Sequence, residues 1–319
     1  MPNARSARVR ALAKINLALK VLGTRPDGYH ELRTVFQTVS LADTLHIAFT
    51  PARRTSIAVA CNVDIPGGNL VERAAQLALD AMRRTGRVEM RLTKRIPMGA
   101  GLGGGSSDAA AVLLALPALA GRALALATLS ELAACLGSDV PFFLLGGTAV
   151  ALGRGTELYP LPDRRAAYGL VIAPGIHVST PQAYRDLDAA REAAARRLTS
   201  EPPQNMISSF QSFVWEDDGV SARLSGNDFE TVVFRQHPRL GSLKRQLGKL
   251  GARPAMLSGS GSALYGVFET REQAERARKF FGKEEVFPIR FVTRAAYRAL
   301  WRRRLGTAEN VWPPQSQFA

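Results

Sequence analysis

The stretch PMGAGLGGGSSDAA, residues 97–110, places five glycines in a short span and then turns alanine-rich. It follows VEMRLTKRI, in which Val88, Met90 and Leu92 alternate with polar residues as in a half-buried strand. After it comes AAAVLLAL, a strong helix former, with Ser106, Ser107 and Asp108 as N-cap types. The glycines are therefore expected in a strand-to-helix turn. A helix N-terminus presents unpaired N–H groups and a partial charge of about +0.5, and glycines let a large anion approach the backbone closely. The expected occupant is a phosphate chain. A Walker loop is excluded because no lysine follows the glycines. Gly99, Gly101 and Gly104 do satisfy GxGxxG, yet no carboxylate lies between Asp108 and Glu131, where a dinucleotide site needs one. What remains is a glycine and serine anion hole in which backbone amides and hydroxyls cradle a triphosphate.

Composition sets the frame. A chain of 319 residues is expected to form two domains, and 46% hydrophobic with 22% charged residues describes a soluble globular protein. The longest apolar run, Ala109 to Gly121, is broken by Pro117 and falls short of the roughly 18 residues of a membrane span, so no membrane contact is expected. The N-terminal arginines precede an apolar stretch interrupted by Lys14 and Asn16, which is not a secretory signal; a cytoplasmic location is expected. Cys61 and Cys135 form no metal-ligand spacing and are expected to be buried. A net charge of +15 favours anionic partners. In RAAYRALWRRRLG, Arg294, Arg298 and Arg302 share one helical face, which reads either as a solvated surface or as a contact for an acidic partner.

Along the chain, LAKINLALKVLG alternates, with Ile15, Leu17, Leu19 and Val21 on one face and Lys14, Asn16, Ala18 and Lys20 on the other. RPDGYHE supplies a turn and LRTVFQTVSL a second strand. A helix is expected from Asn69 to Met82, another over LSELAACL, and a strand over GGTAVALG. Past a boundary near residue 160 come a strand YGLVIAP, a surface helix and loop from Asp186 to Asn205, and leucines 240, 243, 247 and 250 at helical spacing. Two strands, AMLSG and SALYGVF, follow. Thr270 and Gln273 form a capping-box pattern, and EVFPIRFV reads as a last strand. The order fits an α+β sandwich with helices on one face of a mostly antiparallel sheet.

PMGAGLGGGSSDAA resembles the ATP loop of the GHMP kinase superfamily. AKINLALKVLGTRPDGYHEL (13–32) and LGSDVPFFLLGG (136–147) resemble those members whose substrate is a cytidyl diphosphate sugar alcohol, and LSGSGSALYGVF (257–268) resembles the superfamily's third glycine motif. The resemblance runs through most of residues 9–300 and is weakest from Asp186 to Leu224. It implies an α+β two-domain GHMP kinase fold: a ribosomal protein S5 domain 2-like ATP-binding domain (1–160), a ferredoxin-like C-terminal domain (161–300) and a basic tail (301–319). It also implies ATP and Mg2+ as cofactors, a small-molecule substrate, no nucleic-acid or membrane partner, and a monomer or weak homodimer.

Onto this sequence the resemblance carries the following roles. Pro97, Met98, Gly99, Ala100, Gly101, Leu102, Gly103, Gly104, Gly105, Ser106 and Ser107 hold ATP. Asp139 is the general base and Lys14 the catalytic lysine. Asn16 orients substrate, His30 reads the cytosine edge, Tyr29 stacks on the base and Tyr184 supplies the opposing face. Read alone, Asp139 is equally a helix cap, Lys14 a solvated strand lysine and Tyr184 a helix-start core residue. Ser106 or Ser107 contributes to magnesium, directly or through water, and Ser258 to Gly261 lies beside phosphates or forms a hairpin turn. Other GHMP substrates (homoserine, mevalonate or a sugar) and a basic RNA-binding protein are the competing readings. DGYH argues against the first, and the joint occurrence of Lys14, the glycine loop and Asp139 against the second.

Overall fold

The structure, a computed structural model, describes residues 4–65, 67–164, 167–195, 226–306 and 311–315. Two long strands, β1 (Arg5–Thr24) and β2 (His30–Pro51), form an antiparallel hairpin. Its turn is closed where Arg25 N–H donates to the Tyr29 carbonyl at 2.6 Å and the Tyr29 N–H to Asp27 Oδ1 at 3.1 Å. β2 also pairs with β4 (Gly86–Thr93) and β5 (Thr148–Gly153), β3 (Ser56–Cys61) runs parallel to β4, and β6 (Glu157–Pro160) closes the far edge. A second sheet has the order β10-β7-β9-β8, all antiparallel: β7 (Tyr168–Ala173), β8 (Ala255–Leu257), β9 (Leu264–Phe268) and β10 (Glu285–Arg290).

The helices are α1 (Leu70–Met82), α2 (Gly104–Ala120), α3 (Leu126–Leu136) and α4 (Val140–Leu145) on the first sheet. Then come α5 (Thr180–Ala195), α6 (Glu230–Gln236), α7 (Pro238–Lys249) and α8 (Arg271–Arg278) beside the second, and a final α9 (Arg294–Leu305). α2 is buried from Ser107 to Ala120, so its sequence is apolar all round rather than amphipathic. Asn69 caps α1, its Oδ1 accepting from Val71 N–H, and the Thr270/Gln273 capping box is formed at α8.

Four expectations are corrected. β1 is not half-buried in its middle. Register shifts between Leu12 and Lys14 and between Asn16 and Ala18 send Ala13, Ile15 and Leu17 into a core shared with the second sheet, where Val171, Tyr265 and Ile289 meet them. Lys14 and Asn16, on the opposite face, are buried as well. The N-cap of α2 is Gly103, at φ 70°, and Ser106 to Asp108 lie inside the helix, because the glycine turn winds into helix sooner than the serines suggest. Cys61 is half-buried and Cys135 exposed, the latter on the solvent side of α3. Finally, the boundary expected at 300/301 falls inside α9, and that helix is no freely solvated element. It buries Tyr297, Trp301 and Leu305 in the core of the first sheet, Arg294 donates to the carbonyls of Thr148 and Leu161, and Arg303 and Arg304 face outward. Residues 196–205 of the expected surface helix and loop, and 307–310 and 316–319 of the expected tail, lie outside the described residues.

Candidate functional site

The glycine loop lies between β4 and α2, and positive φ at Gly99, Gly101 and Gly103 (63°, 78° and 70°) turns its backbone outward. It is anchored to β1, where Lys14 N–H donates to the Leu102 carbonyl at 3.0 Å. The third glycine motif closes over it: Ser258 Oγ donates to the Gly101 carbonyl at 2.9 Å and Ala263 N–H to the Ala100 carbonyl at 3.1 Å. The approach is so close that a Cβ on Gly101 would sit 2.0 Å from the Ser258 carbonyl oxygen.

A cavity of about 370 Å³ is lined by every residue from Pro97 to Ser106, together with Asn69, Lys94 and Asp108. Ser107 is the exception among the expected loop residues. Its hydroxyl points inward and donates to the Leu12 carbonyl at 2.7 Å. Beneath the loop lies a buried charge cluster absent from the sequence reading. Lys94 Nζ bridges Asp43, in a very short contact, and Asp108 at 2.6 Å, while Asp43 Oδ1 accepts the N–H groups of Arg95 and Ile96. Burial works against the Lys94 ammonium, but the carboxylates of Asp108 and Asp43 outweigh it and hold its pKa above the ordinary value. Burial likewise pushes the Asp108 carboxyl up to about 7, with Lys94 pulling against it, and Asp108 Oδ1 has no partner among the described residues. The only signal in the sequence was a lysine three residues before the loop.

A second cavity, of about 590 Å³, holds Lys14, Asn16, Tyr29, His30, Asp139 and Tyr184 together. Gly101 lines both cavities, so the two meet at the loop. Lys14 Nζ lies 3.3 Å from Asp139 Oδ2, 2.8 Å from Asn16 Oδ1 and 5.1 Å from the Phe36 ring centroid. Lys14 is 3% exposed and Asp139 32%, so the ammonium is fixed in the wall while the carboxylate reaches the cavity. Asp139 stands at the start of α4 but its side chain makes no cap hydrogen bond, which removes the capping explanation. Asn16 is largely committed: its Oδ1 also accepts Gly259 N–H at 2.9 Å and its Nδ2 donates to Thr34 Oγ1 at 2.8 Å. It positions Lys14 and the third motif at least as much as it faces a ligand.

The aromatic end differs from a simple pair of opposed tyrosines. His30 stacks on Tyr184 with ring centroids 4.3 Å apart and 24° between planes, and its Nε2 lies 2.8 Å from Asp188 Oδ2. Tyr184 meets Phe229 edge-on at 4.8 Å. Burial, followed by the Asp139 and Asp188 carboxylates, pushes the Tyr184 phenol up to about 12. Tyr29 is half exposed, and the Arg154 guanidinium covers one face of it, 3.4 Å from the ring centroid. Neither Arg154 nor Asp188 was singled out in the sequence. Missed too was Asn227, whose amide donates to the carbonyls of Leu257 at 3.0 Å and Gly259 at 2.7 Å and so ties the third motif to α6; GNDFE, an Asn-Asp pair before a helix, was the available signal.

Residues 69–147 match the family described as GHMP kinases N terminal domain, and residues 215–286 match GHMP kinases C terminal. A 4-diphosphocytidyl-2-C-methyl-D-erythritol kinase of Solibacter usitatus (strain Ellin6076) is 60% identical over 320 residues, covering 100% of this chain and 99% of the relative. The chain belongs to the GHMP kinase family. Among solved structures, a 4-(cytidine 5'-diphospho)-2C-methyl-D-erythritol kinase superposes on this GHMP kinase with TM-score 0.73 at 37% identity, covering 89% of this chain and 98% of that one. The L. major mevalonate kinase in complex with R-mevalonate shares the fold at 17% identity, with TM-score 0.65, covering 92% and 99%. The two-domain α+β GHMP expectation holds: the glycine loop and α2 fall in the first family region and the third glycine motif in the second. Among the described residues of this GHMP kinase, no helix is long and apolar enough to cross a membrane, and no three His, Cys, Asp or Glu side chains group as metal ligands.

Proposed function

We propose that this chain transfers the γ-phosphoryl group of ATP to the 2-hydroxyl of 4-diphosphocytidyl-2-C-methyl-D-erythritol, a step of the non-mevalonate isoprenoid pathway. The observation that carries the reading is the junction of two cavities at Gly101, with the Lys14–Asp139 pair in the second cavity beside that junction. Phosphoryl transfer asks the protein for alignment and charge stabilisation more than for covalent chemistry. At a typical kinase turnover of about 10 per second the remaining barrier is about 16 kcal/mol.

Residues 97–106 would hold ATP, and Gly101, which lines both cavities, marks where its γ-phosphoryl group would meet the acceptor. The substrate fills the second cavity with its cytosine at Tyr29, His30 and Tyr184. Arg154 keeps Tyr29 in place. Asp139 Oδ2 accepts the proton of the 2-hydroxyl as that oxygen attacks phosphorus and ADP leaves. Two of the three Lys14 donors are fixed by Asn16 and Asp139, and the third faces the charge that develops on the transferred group. Magnesium takes oxygen ligands, and Ser106, which lines the loop cavity, suits it; Ser107, donating to Leu12, does not. When bound, the ion offsets the charge of the ATP phosphates. Residues 1–160 act as the ATP-binding domain and the second sheet with its helices as the substrate-side domain, with α9 returning to the first.

The test is purified protein with ATP, magnesium and the cytidyl diphosphate substrate, scored for ADP release against mevalonate and homoserine. Release with the cytidyl compound alone is expected. Equal release with a control substrate would remove the assignment.

A further inference from the structure

Away from both cavities, β1 and α9 enclose a third concavity of about 350 Å³, lined by Val9, Arg10, Leu300, Trp301, Arg303 and Arg304. It shares no residue with the other two. Half of its wall is guanidinium and the rest is apolar, so charges there are screened less than on an open surface.

More arginine converges on the same place. Arg10 Nη2 donates to the Ser40 carbonyl at 2.9 Å, and the Arg290 N–H donates to Ser40 Oγ at 2.9 Å, so Arg10 and Arg290 meet at one residue. Arg95, at the root of the glycine loop, adds a further like charge that Arg10 feels alongside Arg290 and Arg304. Several cations elsewhere are matched by carboxylates: Lys20 and Arg191 share Asp228, Arg25 pairs with Asp27 and Glu31, and Lys94 with two carboxylates. Among the described residues, none of Arg10, Arg95, Arg290, Arg303 and Arg304 makes an ion pair with a carboxylate. Cations gathered without a counter-charge repel one another, and an anion that bridges them relieves that cost.

The shape selects the kind of anion. The guanidinium fork matches phosphate oxygens two at a time. Trp301 is buried beneath the pocket, so no exposed aromatic face is offered to a nucleobase, which a single-strand nucleic-acid site would need. We propose that the pocket between β1 and α9 is a second anion site, which takes the diphosphate group of a small molecule or of inorganic diphosphate on Arg10, Arg303 and Arg304. It is independent of the kinase reading.

The probe is inorganic diphosphate in a magnesium-free buffer, titrated calorimetrically into the full chain, the Arg10→Gln/Arg304→Gln double variant and Lys14→Met. Wild type and Lys14→Met are expected to bind alike, and the double variant at least about ten-fold more weakly, since it loses charge-assisted hydrogen bonds to the anion. ADP release by the double variant should stay at the wild-type level. Both arginines face solvent, so the fold is expected to survive; if the double variant lacks a cooperative melt, Arg303→Gln is read in its place. Unchanged binding in the arginine variants, or binding lost in Lys14→Met alone, overturns the site. A single-stranded oligonucleotide that binds through Arg10 while diphosphate does not also overturns it, in favour of a nucleic-acid surface.

Discussion

Asp139 occupies a helix start without capping it, and Lys14 lies in a strand interior without reaching water; each is placed against the habit of its residue type. An Asp139→Asn variant is expected to lose about 10²- to 10⁴-fold in kcat with little change in the KM for ATP, because the amide cannot accept the hydroxyl proton. Steady-state kinetics decides this. Tyr29→Ala removes a stacking surface worth roughly 1 to 3 kcal/mol, so the KM for the cytidyl substrate should rise about ten-fold or more while that for ATP stays put. Lys94 and Asp108 answer differently to substitution. Lys94→Met leaves Asp43 and Asp108 buried without their shared cation and is expected to cost about 3 to 5 kcal/mol in urea unfolding. Asp108→Asn keeps a partner for Lys94 at a site where burial already disfavours the charge, and should cost no more than about 1 kcal/mol. Similar losses in the two variants would contradict this account of the cluster.

At the scale of elements, the glycine loop and the motif around Ser258 to Gly261 are one unit held by two short contacts. Gly101→Ala would drive a methyl group into the Ser258 carbonyl at a backbone φ of 78°. The left-handed conformation alone costs a non-glycine residue roughly 1 to 2 kcal/mol, so the variant should melt earlier and bind ATP more weakly than wild type. A normal melt and a normal KM for ATP would show that the two motifs are less tightly packed than described. The sequence made the existence of these elements legible: the alternation of β4, the alanine-rich α2 and the capping box of α8 all appear where periodicity puts them. It did not reveal their ends or their exposure. Ser106 to Asp108 looked like caps because nothing local says that Gly103 already carries the turn, and β1 looked half-buried because its register shifts are visible only once β2 is beside it.

Across the whole molecule, the site is a product of two sheets that share one core. Ala13, Ile15 and Leu17 on one side of β1 enter the shared core, and the opposite side therefore presents Lys14 and Asn16 to the cavity. The same strand serves the third pocket at its N-terminal end through Arg10. α9 shows the cost of reading a basic segment locally. Its arginines suggested a solvated surface helix or a contact for an acidic partner, whereas Tyr297, Trp301 and Leu305, spaced along one face, dock it on the first core.

The amino-acid sequence by itself determined the glycine-bearing turn, most of the order of strands and helices though not β3 or β6, and the residue types able to hold a phosphate chain and accept a proton, since these depend on backbone freedom and side-chain chemistry within a few neighbours. Only the tertiary structure decided that Lys14 meets Asp139, that Ser107 turns away from the loop cavity, that His30 covers Tyr184 and that Asp43, Lys94 and Asp108 share one buried charge network. Each of those outcomes joins residues distant in sequence. Which partner a buried polar group finds is settled by packing, because the cost of leaving it unpaired selects among arrangements that no local pattern encodes.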